Sequence, residues 1–421
     1  MRPIIRLLVL LLFLTSFPAF SATPQFEVPI QSLESSQLRH IGKFDGDSIP
    51  DLLLISQNRV YFRKGDGKGN FGTPIQSSLA SEVFNSTFTA VGDLTGDQID
   101  DLVYVVPFGR NVQIYQGSTL GVFSLYRSIE INYGINKPIV GHFNSDNYPD
   151  LLVTSTSSWG SNYFLEGSIN GIGTALSEYK EGFYPRGFWC EVSQAAKISP
   201  SGSSALLCMG STSIGIIPMI SATSPGLVAG YSSIYTSYPE DKDYAISDLN
   251  SDGLQDLIAL RGNFDSLRLQ IFENSNLGLN PPINFVTNLL SWQDELFLSD
   301  VDGDSRTDII LFKPNGQTLY ALNLGSLKFQ PFQTLNTSIT NERLIVKDLN
   351  GDGIGDFIYS GNNRVSVLIA KNATKAEAEA KAKAEAEAKL NPDRSITCFK
   401  GKLKLKVIGK KPKCPSGYKK K

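Results

Sequence analysis

The stretch Asp348-Leu-Asn-Gly-Asp-Gly-Ile-Gly-Asp356 decides how the whole chain is read. Its side-chain oxygens fall at positions 1, 3, 5 and 9 (Asp348, Asn350, Asp352 and Asp356), and the glycines between them allow the tight turns that aim those oxygens inward. Hard oxygens at this density, with no His or Cys among them, suit calcium and not zinc or copper. An EF-hand loop would need a bidentate Glu at position 12, where this stretch has Tyr359 and its sister loops have Tyr104, Ala259 and Leu311. The run Phe357-Ile358-Tyr359 is made of strand formers, so the loop is expected to join two strands.

The pattern can be traced seven times, with position 1 at Lys43, Asp93, His142, Lys197, Asp248, Asp300 and Asp348, so that successive copies lie 48 to 55 residues apart. Each copy is followed by a short apolar run, such as DLLLIS at 51–56 or DIILFK at 308–313, too short for a helix and rich in strand formers. About fifty residues make one four-stranded blade. The expected fold class is all-β: a seven-bladed β-propeller with calcium-binding loops, followed by a helical spacer and a small cationic C-terminal segment. The last copy stops after Val365–Ile369, one strand short. Because 26–32 (FEVPIQS) nearly repeats the outer-strand segment 71–77 (FGTPIQS), the N-terminal segment is expected to complete the last blade and remove an open sheet edge.

Four loops carry a complete ligand set: Asp93, Thr95, Asp97 and Asp101; Asp248, Asn250, Asp252 and Asp256; Asp300, Asp302, Asp304 and Asp308; Asp348, Asn350, Asp352 and Asp356. Position 7 in each (Ile99, Leu254, Arg306, Ile354) would give its backbone carbonyl, leaving its side chain free to vary. Two copies are weaker metal sites. The first keeps Asp45, Asp47 and Asp51 but has an ammonium, Lys43, at position 1, where it competes for the cation's place; the third keeps Asn144, Asp146 and Asp150 behind His142, a poor calcium ligand. An ion-free Asx-rich turn is the alternative reading of every copy. The copy at Lys197 offers Ser199, Ser201 and Ala205 and no carboxylate. Cys190 and Cys208 lie on the strands flanking it and are expected to form a disulfide there, two buried free thiols being the alternative.

The ends of the chain have their own character. Residues 1–22 carry Arg2 and Arg6, an apolar core from Leu7 to Leu14, and small residues around Ala19, Ser21 and Ala22, the pattern of a secretory signal peptide. The protein is therefore expected to be secreted, extracellular or at the cell surface, with the periplasm as a further compartment, and with no transmembrane segment after signal removal. The propeller is assigned to 23–371 and an Ala/Glu/Lys-rich helical linker to 372–392, with i,i+4 pairs such as Glu377 with Lys381. Residues 393–421 form a Lys-rich segment with a Cys pair, Cys398 and Cys414, expected to be disulfide-bonded. Residues 396–421 hold ten Lys and no acid, which leaves 39 − 10 = 29 basic residues against 41 acidic ones elsewhere. That cationic segment suits an anionic cell-surface polymer, with a solubilising tail as the alternative.

The loops with their flanking strands, GDLTGDQIDDLVYV from Gly92 and SDLNSDGLQDLIAL from Ser247, resemble FG-GAP or VCBS repeats, the family that includes the integrin alpha-chain propeller. The resemblance covers about residues 25 to 371 and implies calcium in the loops and ligand binding by a propeller face, but no reaction. His40 and His142 are the only histidines, so nucleophilic triads have little to draw on. The expected function is a calcium-stabilised binding or adhesion module for an extracellular protein or glycan ligand, and not an enzyme. The alternatives are a lectin, with Trp159, Trp189 and Trp292 in or near loops, and a carbohydrate-active enzyme, a lyase or glycosidase working through carboxylates.

Overall fold

The computed structural model describes residues 24–372 and 394–420, except for 27–30, 35, 58, 81–87, 107–109, 132–134, 144–145, 156–161, 174–176, 180–189, 197–204, 211–212, 219–231, 236–239, 264–265, 276–277, 286–288, 292, 336–342, 362–363 and 410–412. Seven four-stranded antiparallel sheets follow one another along the described chain. The first is Gln37–Gly42, Asp51–Ser56, Arg59–Arg63 and Ile75–Ala80; the second is Thr89–Gly92, Asp101–Val105, Asn111–Gln116 and Ser124–Glu130. The third to sixth begin at Ile135, Cys190, Glu240 and Glu295. The seventh joins Arg343–Lys347, Asp356–Gly361 and Arg364–Leu368 to the N-terminal strand Gln31–Glu34. In every sheet the repeated loop connects the first strand to the second.

Burial grades across each sheet. The second strands Asp101–Val105, Asp308–Phe312 and Asp356–Gly361 are buried at every residue, and Asp51–Ser56 is buried over its first four. A strand covered on both faces needs an unbroken apolar run and not an alternation, which is why these segments read DLVYV and DIILF. The third strands Arg59–Arg63 and Asn111–Gln116 alternate, whereas Thr318–Ala321 is buried throughout, and the outer strand Ser124–Glu130 is largely exposed. The second strands are covered because neighbouring sheets pack face to face. Leu53 and Phe62 of the first sheet meet Leu102 and Tyr104 of the second, and Val103 of the second meets Leu151 and Val153 of the third. Ile258 meets Ile309, and Phe312 meets Tyr359, further along. The seventh sheet returns to the first through Ile358 and Val365 against Leu38 and Leu52. The all-β chain is thus β-propeller-like, each sheet packed on the next.

The closing strand is placed a little differently from the expected 26–32. Gln25–Phe26 pairs with Ala370–Lys371, and Gln31–Glu34 pairs with Arg364–Leu368. The first sheet shows the same two-step pattern: Phe71 bridges Gly65, and the strand proper begins at Ile75. The aromatic residue at the start of each segment anchors the chain before the strand forms, as Phe26 does edge-on to Phe357, 5.4 Å between centroids.

No α-helix occurs among the described residues, so the helical part of the expected architecture finds no counterpart there. The spacer at 372–392 lies outside them apart from Asn372, which is non-helical and donates through Nδ2 to the Gly303 carbonyl at 3.2 Å. Residues 1–22, expected to be a signal peptide, also lie outside them, and no helix among them is long and apolar enough to cross a membrane. At the C-terminus, Leu403–Gly409, Arg394–Lys400 and Lys419–Lys420 form a three-stranded sheet, and Cys398 and Cys414 are disulfide-bonded. Cys190 and Cys208 stand on adjacent paired strands, opposite Gly210 and Val192, with side chains outside the described set.

Candidate metal-binding loops

The loops share one backbone solution. Position 4 is left-handed in five copies: Gly46, Gly96, Ser251, Gly303 and Gly351 have φ between 63° and 85°. The turn folds the position 1 carboxylate back over the loop. Asp93 accepts the amides of Gly96, Asp97 and Gln98, and Asp300 accepts those of Asp302, Gly303 and Ser305. Position 5 accepts the amide of position 7, as Asp97 does from Ile99 at 3.0 Å and Asp352 from Ile354 at 2.9 Å. Side chains at positions 1, 3 and 5 therefore converge. In the sixth sheet Asp300, Asp302 and Asp304 each place one carboxylate oxygen within 4.8 Å of the others.

Position 9 has a second role that the pattern alone does not show. Asp51, Asp101, Asp150, Asp256, Asp308 and Asp356 are all fully buried. In Asp308, Oδ2 accepts the Val301 amide at 2.9 Å and Oδ1 accepts the Asn323 amide at 2.8 Å. Asp101 does the same with Leu94 and Gly117, and Asp356 with Leu349 and Ala370. This carboxylate ties the loop to the end of its sheet's third strand. In Asp308 and Asp356 each oxygen accepts one amide and keeps a further lone pair for an ion, whereas Asp101 Oδ2 accepts the Thr95 amide as well as that of Leu94.

Neighbouring loops are stitched together. The Asp100 amide donates to the Lys43 carbonyl at 2.8 Å, and the Gly355 amide to the Asp300 carbonyl at 2.7 Å. Position 7 is consequently less free than its varied side chains imply, because it packs between loops: Ile99 and Ile354 are buried, and Ile99 stands against Gly46. Arg306 is engaged too, with a guanidinium nitrogen on Asp304 and Nε donating to the Asn323 carbonyl at 2.7 Å.

The first loop does hold an ammonium, but from an unexpected residue. Lys64, at the end of the third strand, bonds Asp45 and lies 3.0 Å from Asp47 Oδ2. Lys43 is exposed, and its amide donates to Asp100 Oδ2. Hydrogen bonds that the Lys64 ammonium donates to Asp45 and then to Asp47 hold its pKa above the usual lysine range. In the third loop Asp146 and Asp150 are described and Asn144 is not; the loop at 197–204 lies wholly outside the described residues. His40 is a packed residue, with Nε2 2.8 Å from Thr89 Oγ1 and its pKa lowered to about 4 by burial and then by Arg343 and Arg39. Trp159, Trp189 and Trp292 also fall outside the described residues.

The donor set fits a hard divalent cation: clustered carboxylate and amide oxygens, some already drawing a cationic side chain. Burial sets the electrostatics of position 9. It raises Asp51, Asp101 and Asp356 to about 7, Asp256 to about 6 and Asp308 to about 8, against backbone hydrogen bonds that pull the other way and with nearby loop carboxylates adding to the rise. A carboxyl whose pKa is raised on folding contributes stability fully below its unfolded value and loses it as pH climbs through the folded value. In chelator, the melting temperature is expected to fall from about pH 4 to pH 8 as these five groups ionise. Calcium, which favours the ionised form, should flatten that fall. A melting temperature level across the window in chelator would contradict the assignment.

Packed four-stranded sheets with an acidic loop between the first two strands of each define a repeat protein of β-propeller-like fold. Residues 43–104 and 300–359, two segments that hold the first, second, sixth and seventh loops, match the family model of the FG-GAP-like repeat. No curated protein matches the chain. Among solved structures, an Agrocybe aegerita lectin that recognises non-reducing terminal N-acetylglucosamine aligns over 80% of this chain and 86% of its own, with a TM-score of 0.54 and 14% identity. At that identity the likeness is one of fold. Saccharomyces cerevisiae Sqt1 aligns over 83% of this chain and 100% of its own, with a TM-score of 0.48 and 12% identity.

Proposed function

We propose that this chain is a secreted or surface-attached seven-bladed β-propeller, stabilised by calcium in its loops, that binds an extracellular protein or glycan and carries out no reaction. The observation that carries this reading is the convergence of Asp300, Asp302 and Asp304 in a loop whose left-handed turn recurs in four other copies. FG-GAP-like repeats and a lectin of the same fold support binding as the role. A glycan array and a pull-down with the full chain, each run in calcium and in chelator, test it. Calcium-dependent capture of a glycan or protein is expected. Release of reducing ends or unsaturated sugars from a polysaccharide would place the protein among enzymes instead.

The C-terminal sheet is proposed to attach the protein to an anionic cell-surface polymer. Residues opposite one another in an antiparallel pair share a face, so Lys404 and Lys419 flank Phe399 on one side of the sheet, with Lys406 beside Thr397. Deleting the chain after Asn391 should release the protein from cells. Raising salt past physiological strength, where the Debye length is about 8 Å, should weaken attachment of the full chain. A truncated protein that remains cell-bound would assign attachment to the propeller.

A further inference from the structure

The residue that closes the third strand stands next to the amide that bonds the position 9 Asp, and in three sheets its side chain reaches into that sheet's loop. In the first sheet it is Lys64, seated on Asp45 and Asp47, positions 3 and 5. In the second it is Gln116, whose Nε2 donates to Asp97 Oδ2 at 2.9 Å. In the fifth it is Glu273, whose Oε1 accepts from Asn250 Nδ2 at 3.2 Å, the same nitrogen that donates to Asp252 Oδ2 at 3.0 Å. The sixth and seventh sheets have the buried apolar residues Leu322 and Ile369 there. One structural position thus presents a cation, a neutral amide, a carboxylate or no polar group to loops of otherwise similar backbone.

We propose that this strand-end residue determines which loops take a divalent cation: Lys64 is a built-in cation that makes the first loop calcium-independent, and Glu273 supplies a further carboxylate ligand to the fifth. The inference rests on the calcium reading of the loops. An ion bound by Asp45 and Asp47 would stand within a few ångströms of the Lys64 ammonium, which bridges both carboxylates, so the two like charges repel and exclude each other; in the sixth loop, by contrast, Arg306 pairs with Asp304 at position 5 while Asp300 and Asp302 supply further carboxylates at positions 1 and 3. The ammonium is also the better match for a loop whose position 1 is Lys43 and offers no carboxylate. Lys64 is 55% exposed, so the pair contributes little to folding and its replacement leaves the sheet intact.

The test is a charge exchange in the full chain, Lys64→Glu and Glu273→Lys, read by calcium stoichiometry in competition with a chromophoric chelator, with circular dichroism to confirm folding. Lys64→Glu is expected to bind one more calcium than the wild type, and Glu273→Lys one fewer. An unchanged stoichiometry in Lys64→Glu overturns the inference for the first loop, and an unchanged one in Glu273→Lys overturns it for the fifth. If the wild type binds no calcium, the calcium reading of the other loops falls. In that case a Lys64→Glu chain that binds one ion still upholds Lys64 as the resident cation, and one that binds none overturns it.

Discussion

Removing calcium with a chelator is expected to lower the melting temperature of the full chain substantially, and restoring millimolar calcium to raise it again. Without an ion the three carboxylates of the sixth loop sit within 4.8 Å of one another, an arrangement that costs free energy in the folded state alone. Ion binding shifts folding by mass action, about 2.7 kcal/mol for each site at a hundredfold excess over its Kd, so several sites acting together would contribute a large part of the stability of a typical domain. Asp302→Ala, which removes a buried ligand from the most acidic loop, should lower calcium stoichiometry, whereas Asp45→Ala, beneath the Lys64 ammonium, should leave it unchanged. Scanning calorimetry with and without calcium provides the check. Superimposable curves would remove calcium from the structural account.

Asp308→Ala should destabilise the protein by about 2–6 kcal/mol whether or not calcium is present, because it leaves the buried amides of Val301 and Asn323 without acceptors at about 1–3 kcal/mol each. The effect separates the two roles of the loop. Asp352, at position 5, is exposed and accepts the Ile354 amide at the loop surface. Its replacement by Ala should cost much less in chelator and should show its effect mainly as lost stabilisation by calcium. Urea denaturation of both variants, in calcium and in chelator, gives the comparison. Equal costs for the two substitutions in chelator would mean that position 9 is not the residue tying loop to sheet.

Much of the architecture was legible along the chain because its causes are local. A second strand covered on both faces needs an unbroken apolar run, and a tight loop that gathers oxygens needs Asp, Asn and Gly at fixed offsets, so both recur with the repeat. The closing strand was legible for the same reason: 26–32 and 71–77 carry nearly the same residues, and Phe26 and Phe71 meet equivalent neighbours, Ala370 and Gly65.

What the sequence by itself determined is therefore the strand repeat, the loop positions and the segment that completes the last sheet. Only the tertiary structure decided which residue at the end of the third strand reaches which loop. Lys64, Gln116 and Glu273 lie 13, 15 and 17 residues beyond the position 9 Asp of their own sheets, because the second and third strands and the connection between them vary in length, so no fixed spacing marks them. The same variable hairpin brings Asn323 to Asp308 and Gly117 to Asp101, which makes position 9 a structural tie as well as a candidate ligand. Register across paired strands, and not distance along the chain, sets these contacts, and register exists only once the sheet has formed.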